Sequence, residues 1–178
     1  YFIDRFERRP DEASPWTTEC GAWEITKFFE KTDPKRASNA FTFLGRTPNA
    51  ASPPAIAVTG KLVWRDYAGE VSAGTVSGTG QFGVVFNYVD PQNHYRAVFT
   101  ADPAGGTARL TCVAEGKARV LAERDGWLRT RQFYRLEVHA VAGDLSILVD
   151  GHEILHAEDT TFLAGRFGLL AQGSGGVY

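Results

Sequence analysis

Two stretches of this sequence carry residues at spacings that do chemistry in other settings. His152-Glu-Ile-Leu-His156 has the HExxH spacing that holds zinc in proteases. That chemistry needs a helix, where residues four apart share a face about 6 Å from each other. The stretch follows Asp150-Gly151, a two-residue turn signal, so it reads as the return strand of a hairpin. On a strand the two histidines lie about 13 Å apart at ~3.3 Å per residue, too far to share one ion. No His, Cys, Asp or Glu follows Asp159 to complete a ligand set. Gly78-Thr-Gly-Gln-Phe-Gly83 has the GxGxxG spacing of a dinucleotide loop, which works by presenting a helix N-terminus to a pyrophosphate. Here the run VVFNYVDP follows, β-branched and aromatic and stopped by Pro91, with no crossover helix in view.

Nucleophilic and acid–base catalysis find no better support. There is no GxSxG elbow. Sandwich-fold glycosidases of the laminarinase type align acids as E-x-D-x-x-E on one strand, and no such triple occurs. The acidic groups Glu153/Glu158/Asp159 and Glu115/Glu123/Asp125 do not line one strand face. Residues suited to binding remain. Flat rings with a few oriented polar groups hold an uncharged, hydroxyl-rich ligand by stacking and hydrogen bonding. The candidates are Trp64 with Lys61, the group Asn87, Asp90, His94 and Arg96 around one hairpin, and Trp127 on a polar loop. Against this stands ordinary packing for the tryptophans and ordinary surface for the polar set.

The elements that position these residues have a period of two. Phe133 to Val141 alternates Tyr134, Leu136, Val138 and Ala140 against Arg135, Glu137 and His139, as a half-buried antiparallel strand does. Further strands are expected over Ala55–Trp64, Gly80–Val89, Tyr95–Ala101, Thr107–Val113, Leu145–Asp150 and Arg166–Ala171. On the strand after Gly80, alternation puts Phe82, Val84, Phe86 and Tyr88 on one face and Gly83, Val85 and Asn87 on the other. Glu115–Arg131 reads as strand plus loop rather than helix, and Lys31–Pro54 as the place for long loops. Many short strands separated by turn chemistry predict an all-β sandwich, with residues 1–178 as one domain.

Composition narrows the classes. A hydrophobic content of 43% and a charged content of 22% belong to a globular chain. The net charge of -2, with both signs interspersed, gives no polyanion groove and so no nucleic-acid partner. No apolar run approaches the roughly 18 residues of a membrane span. The opening YFIDRFERRP is that of a chain with its signal peptide removed, or of a fragment. Cys20 and Cys112 leave two readings open, a disulfide or two thiols packed as small apolar groups.

The hairpin GVVFNYVDPQNHYRAVF resembles one found in concanavalin A-like, laminin G-like jelly rolls, in the bacterial branch near carbohydrate-binding modules and the 3-keto-disaccharide hydrolase domain. DRFERRPDEASPWTTECGAWEI resembles the opening of that family, FYRLEVHAVAGDLSILVDGHEIL its Y-x-L-x-V hairpin, and GRFGLLAQGSGGVY its closing segment. The resemblance implies a two-sheet antiparallel jelly-roll sandwich with one concave sheet and a ligand at that face or the loop rim. It implies no catalytic cofactor. A structural calcium near the terminal strands is a property of some members, and Asp4 stands where such a ligand sits. The expected function is a non-catalytic carbohydrate-binding or recognition module of a secreted or periplasmic protein. The alternatives are a subunit docking onto a protein partner in a larger extracytoplasmic assembly, and a glycan-processing hydrolase of the same fold.

Overall fold

The computed structural model describes residues 2–6, 12–26, 41–49, 51–75, 80–100, 106–126, 128–129, 132–173 and 176–178. Its strands are β1 (Thr17–Cys20), β2 (Ala22–Thr26), β3 (Thr42–Arg46), β4 (Ala55–Thr59), β5 (Tyr67–Thr75), β6 (Gln81–Asp90) and β7 (Asn93–Thr100). They continue with β8 (Thr107–Ala114), β9 (Lys117–Asp125), β10 (Phe133–Val141), β11 (Asp144–Val149), β12 (His152–Glu158), β13 (Arg166–Gln172) and β14 (Gly176–Val177). Two antiparallel sheets of seven strands form a jelly-roll sandwich. Sheet A runs β1-β4-β13-β6-β7-β8-β9 and sheet B runs β12-β11-β10-β5-β14-β3-β2. Among the described residues no helix is long and apolar enough to cross a membrane.

Alternation builds the core between the sheets. Phe82, Val84, Phe86, Tyr95, Ala97, Phe99, Leu110 and Leu169 of sheet A face Tyr134, Leu136, Val138, Leu145, Ile147 and Val149 of sheet B, all buried. The rings pair across strands, Phe82 with Phe99 at 5.6 Å and Phe86 with Tyr95 at 5.4 Å between centroids. Turn chemistry sets the register. Asp150 and Gly151 both take positive φ, 50° and 80°, as the expected two-residue hairpin turn requires. His152 and His156 therefore lie on β12, both exposed, and HExxH is a strand sequence in this chain.

Several expectations need correcting. The strand expected over Ala55–Trp64 ends at Thr59, because Gly60 at φ 92° starts a turn in which Trp64 N donates to Lys61 O. Strand β3 lies inside the stretch expected to hold long loops; residues 27–40 fall outside the described set. Strand β5, Gly-, Ala- and Ser-rich, had no sequence signal. Its small residues suit its place, since a Cβ at Gly69 would collide with the Phe167 ring. Cys20 and Cys112 are free thiols. They sit on strands five places apart in sheet A, roughly 24 Å along the sheet at ~4.8 Å per strand. A disulfide needs Cα atoms within about 7 Å.

The largest correction is to the faces of β6. Gly168 pairs with Val85 and Arg166 with Tyr88, so two steps on β13 span three on β6. The extra residue is accommodated by a bulge in which Asn87 takes φ 43°. Past it the alternation is re-phased, and Tyr88 leaves the face of Phe82, Val84 and Phe86 for the outer face of the sheet, beside Val85.

Tyr178 ties the sandwich together from β14. Its hydroxyl accepts from Gly83 N at 3.0 Å and lies within donating reach of Gly83 O at 2.9 Å and of Leu170 O, all in the interior. Removing it in Tyr178→Phe leaves those backbone groups short of a partner. The variant is expected to lose about 1–3 kcal/mol in urea denaturation, with an unchanged m-value.

Candidate functional site

The two sheets differ in what they show outward. The outer face of sheet B is a solvated one, with Glu70, Ser72, Arg135 and His139 exposed along β5 and β10. Sheet A is buried on both faces through its middle. Ile56, Val58, Val85, Tyr88 and Leu170 form a second apolar cluster on its outer side, each at most 3% exposed, with Cys20 and Val98 packed against it. An antiparallel sheet ordinarily leaves one face to water, so this patch marks the special face.

Polar groups stand around it in register. Val58, Gly168, Val85, Arg96, Thr111 and Val120 form one row across the sheet, and Ile56, Leu170, Gly83, Val98, Arg109 and Glu123 the next. At one end Arg166 holds its guanidinium 5.2 Å over the Tyr88 ring and pairs with Glu19 at 3.0 Å. The Tyr88 hydroxyl lies 3.5 Å from Glu19 Oε2. At the other end Arg109 pairs with Glu123 at 2.5 Å. Charged pairs thus stand over a closed apolar layer on this side of the sandwich.

The structure brings together four of the residues proposed from sequence. Asp90 caps the β6–β7 turn, accepting from Gln92 N at 2.7 Å and Asn93 Nδ2 at 3.0 Å, and these bonds hold its carboxyl below the usual value. His94 follows on the outer face, 2% exposed, its ring 5.3 Å from that of Tyr88. Its Nδ1 lies 3.2 Å from the Asp90 carbonyl oxygen, which can only accept, so Nδ1 carries the proton. Arg96, two residues on, is half-buried on the same face. Burial first, and then the neighbouring Arg109, lower its pKa. Asn87, at the bulge, donates from its backbone N to Tyr67 Oη at 2.9 Å and from Nδ2 to Phe162 O at 2.8 Å.

Trp64 stands apart from that row. Its ring covers Gly60, with Phe2 at 6.5 Å and the edge of Tyr67 at 6.3 Å, and its carbonyl accepts from Gly165 N at 2.9 Å. Trp127 lies outside the described residues. Tyr88, Glu19, Arg166, Thr111 and Arg109 were not singled out from sequence, and Glu123 only as one of a set of acids weighed for hydrolysis. Glu19 and Arg166 meet only through the strand order, whereas Arg109 and Glu123 flank the Glu115-Gly116 turn and were open to a hairpin argument.

Asp4, at which the resemblance places a calcium ligand, holds two N–H donors. Its Oδ1 accepts from Phe6 N at 2.9 Å and its Oδ2 from Trp16 Nε1 at 2.7 Å, fastening the first residues to the sandwich. No group of three His, Cys, Asp or Glu side chains placed to hold a metal occurs among the described residues.

Solved structures similar to this chain share its fold. The carbohydrate binding module CBM66 from Bacillus subtilis superposes with a TM-score of 0.73 at 22% identity, covering 92% of this chain and 91% of that one. A B. subtilis protein of unknown function with a galectin-like fold gives 0.63 at 12% identity, covering 91% and 85%. A GH43 protein from Bacillus licheniformis gives 0.66 at 13% identity; it matches 98% of this chain, which spans 37% of that protein's length. No protein-family model and no curated sequence matches the chain.

Burial without a partner at Nε2 pulls the His94 pKa from 6.5 to about 4. Its contribution to stability is complete above the unfolded value near 6.5 and is lost as pH falls from there through about 4. Wild type is expected to lose about 1.4 kcal/mol per pH unit more than His94→Gln across that window. Urea titrations of both proteins at pH 7.5 and 5.0 measure the difference.

Proposed function

We propose that this chain is a non-catalytic carbohydrate-binding module whose ligand lies along the outer face of sheet A. The observation that carries the reading is the set of charged side chains, Arg96, Arg109, Arg166, Glu19 and Glu123, standing over a closed apolar layer on the outer side of sheet A. Fixed charged donors and acceptors suit the hydroxyls of a sugar, and the partly exposed Val98 and exposed Val120 offer apolar contact to its ring. The likeness in fold to CBM66, a carbohydrate binding module, supports the same reading.

The arrangement of acids favours binding over hydrolysis. Glycosidases place two carboxyl groups about 5–10 Å apart. On this face Glu19 and Glu123 stand on the two edge strands, roughly 29 Å apart along the sheet, each held by an arginine, and Asp90 between them is taken up by the cap of its own turn. The place proposed for such a module is outside the cytoplasm, secreted or periplasmic, where polysaccharides are met.

A glycan array on the purified chain tests the reading, followed by calorimetry on the hits. Arg109→Ala, on the proposed face, is expected to weaken binding about tenfold, or about 1.4 kcal/mol. Arg135→Ala removes an equally exposed arginine, paired with Glu137 on the outer face of sheet B, and is expected to change nothing. Equal losses in both, or an array with no hit from folded protein, would overturn the proposal.

A further inference from the structure

Among the described residues, every arginine at the border of the apolar patch has a carboxylate except one. Arg109 has Glu123 at 2.5 Å and Arg166 has Glu19 at 3.0 Å. Arg96, between them near the centre of the sheet, has no acidic partner among the described residues. Its register neighbours are Val85, buried and apolar, and Thr111, a hydroxyl. It is also the more enclosed group, half-buried where the Arg109 side chain is 50% exposed. A desolvated guanidinium is normally paired, and the geometry it prefers is a two-pronged bond to a carboxylate.

We propose that the ligand supplies that carboxylate: the face takes an acidic saccharide, a uronate-containing glycan, whose carboxyl group pairs with Arg96. This rests on the carbohydrate-binding reading and narrows it. Three fixed carboxylates on this face, Glu19, Glu123 and Asp90, stand against a phosphate dianion or a densely sulfated chain more than against a singly charged carboxylate. Beside Arg96, Val98 keeps partial exposure and offers the contact that holds the sugar ring itself.

The experiment is calorimetry on the full chain with oligogalacturonate, oligomannuronate and hyaluronan oligomers, each against its carboxyl-reduced counterpart. Dextran sulfate is the polyanion control. At least one acidic oligomer is expected to bind tenfold or more tightly than its reduced form, and more tightly than dextran sulfate. Arg96→Gln should remove that preference, leaving the reduced form within twofold of its former affinity. Arg96→Lys, which keeps charge but not the fork, should restore part of it. If Arg96→Gln fails to fold, the lysine variant and the reduced oligomers still decide the matter. Neutral sugars binding as well as uronates would overturn this inference and leave the carbohydrate reading standing. Dextran sulfate binding as tightly as any uronate would overturn it as well, because charge alone would then suffice. Binding of no saccharide of either kind would remove both.

Discussion

Everything distinctive about this sandwich depends on one residue taking a backbone conformation that side chains seldom adopt. At Asn87 the chain turns into the left-handed region, and a strand that had been sending every second aromatic into the core sends the next one outward. The bulge is held from three sides. Tyr67 accepts from its backbone N, Phe162 accepts from its side chain, and Gly165 lies so close that a Cβ there would collide with the Asn87 and Tyr88 backbone. Asparagine suits the position because it tolerates the positive φ and its amide bonds locally. With a regular strand at this point, Tyr88 would join Phe86 inside. The outer face of sheet A would then lose the ring beneath Arg166 and beside His94.

A second support fixes the opposite side of the same region. Asp159, at the end of β12, accepts from the Tyr95 hydroxyl at 2.5 Å, from Thr161 N at 2.9 Å and from Arg119. Burial works against its charge, but those hydrogen bonds outweigh it and hold the carboxyl well below the usual range. Phe162 N donates to the same Tyr95 hydroxyl at 3.1 Å. The segment from Asp159 to Gly165 is therefore anchored to β7 at one end and to the bulge at the other. That segment leads directly into Arg166, so the position of the guanidinium over Tyr88 is set by the inner face of the sheet as much as by the outer one.

Local signals were legible in the sequence and long-range ones were not. Asp150-Gly151 announced its hairpin, Phe133 to Val141 announced a half-buried strand, and the strand setting of His152 and His156 removed zinc chemistry. Each rests on neighbours in the chain. The placement of Asn87, Asp90, His94 and Arg96 around one hairpin was equally readable, because a tight turn fixes who lies opposite whom. The face of Tyr88 was not, since strict alternation carries no mark of an inserted residue. Nor was the Glu19–Arg166 pair, which joins strands far apart in sequence. Strand β5 lacked any signal: its glycines and alanines are dictated by the rings that pack over them. Of the two tryptophans weighed between stacking and packing, Trp64 closes over Gly60, and Trp127 lies outside the described residues.

The seating of β14 has a kinetic meaning. This short strand lies between β5 and β3, and Tyr178 beyond it reaches Gly83 and Leu170 of the opposite sheet. Before it is in place, sheet B consists of two separate ribbons, β12-β11-β10-β5 and β3-β2, with facing edges unpaired. The keystone must find partners about a hundred residues or more upstream. Loop closure over such separations is slow and cannot be shortened by local propensity. An intermediate with two open strand edges is correspondingly exposed to self-association, so folding of this chain runs a race that its native state does not reveal.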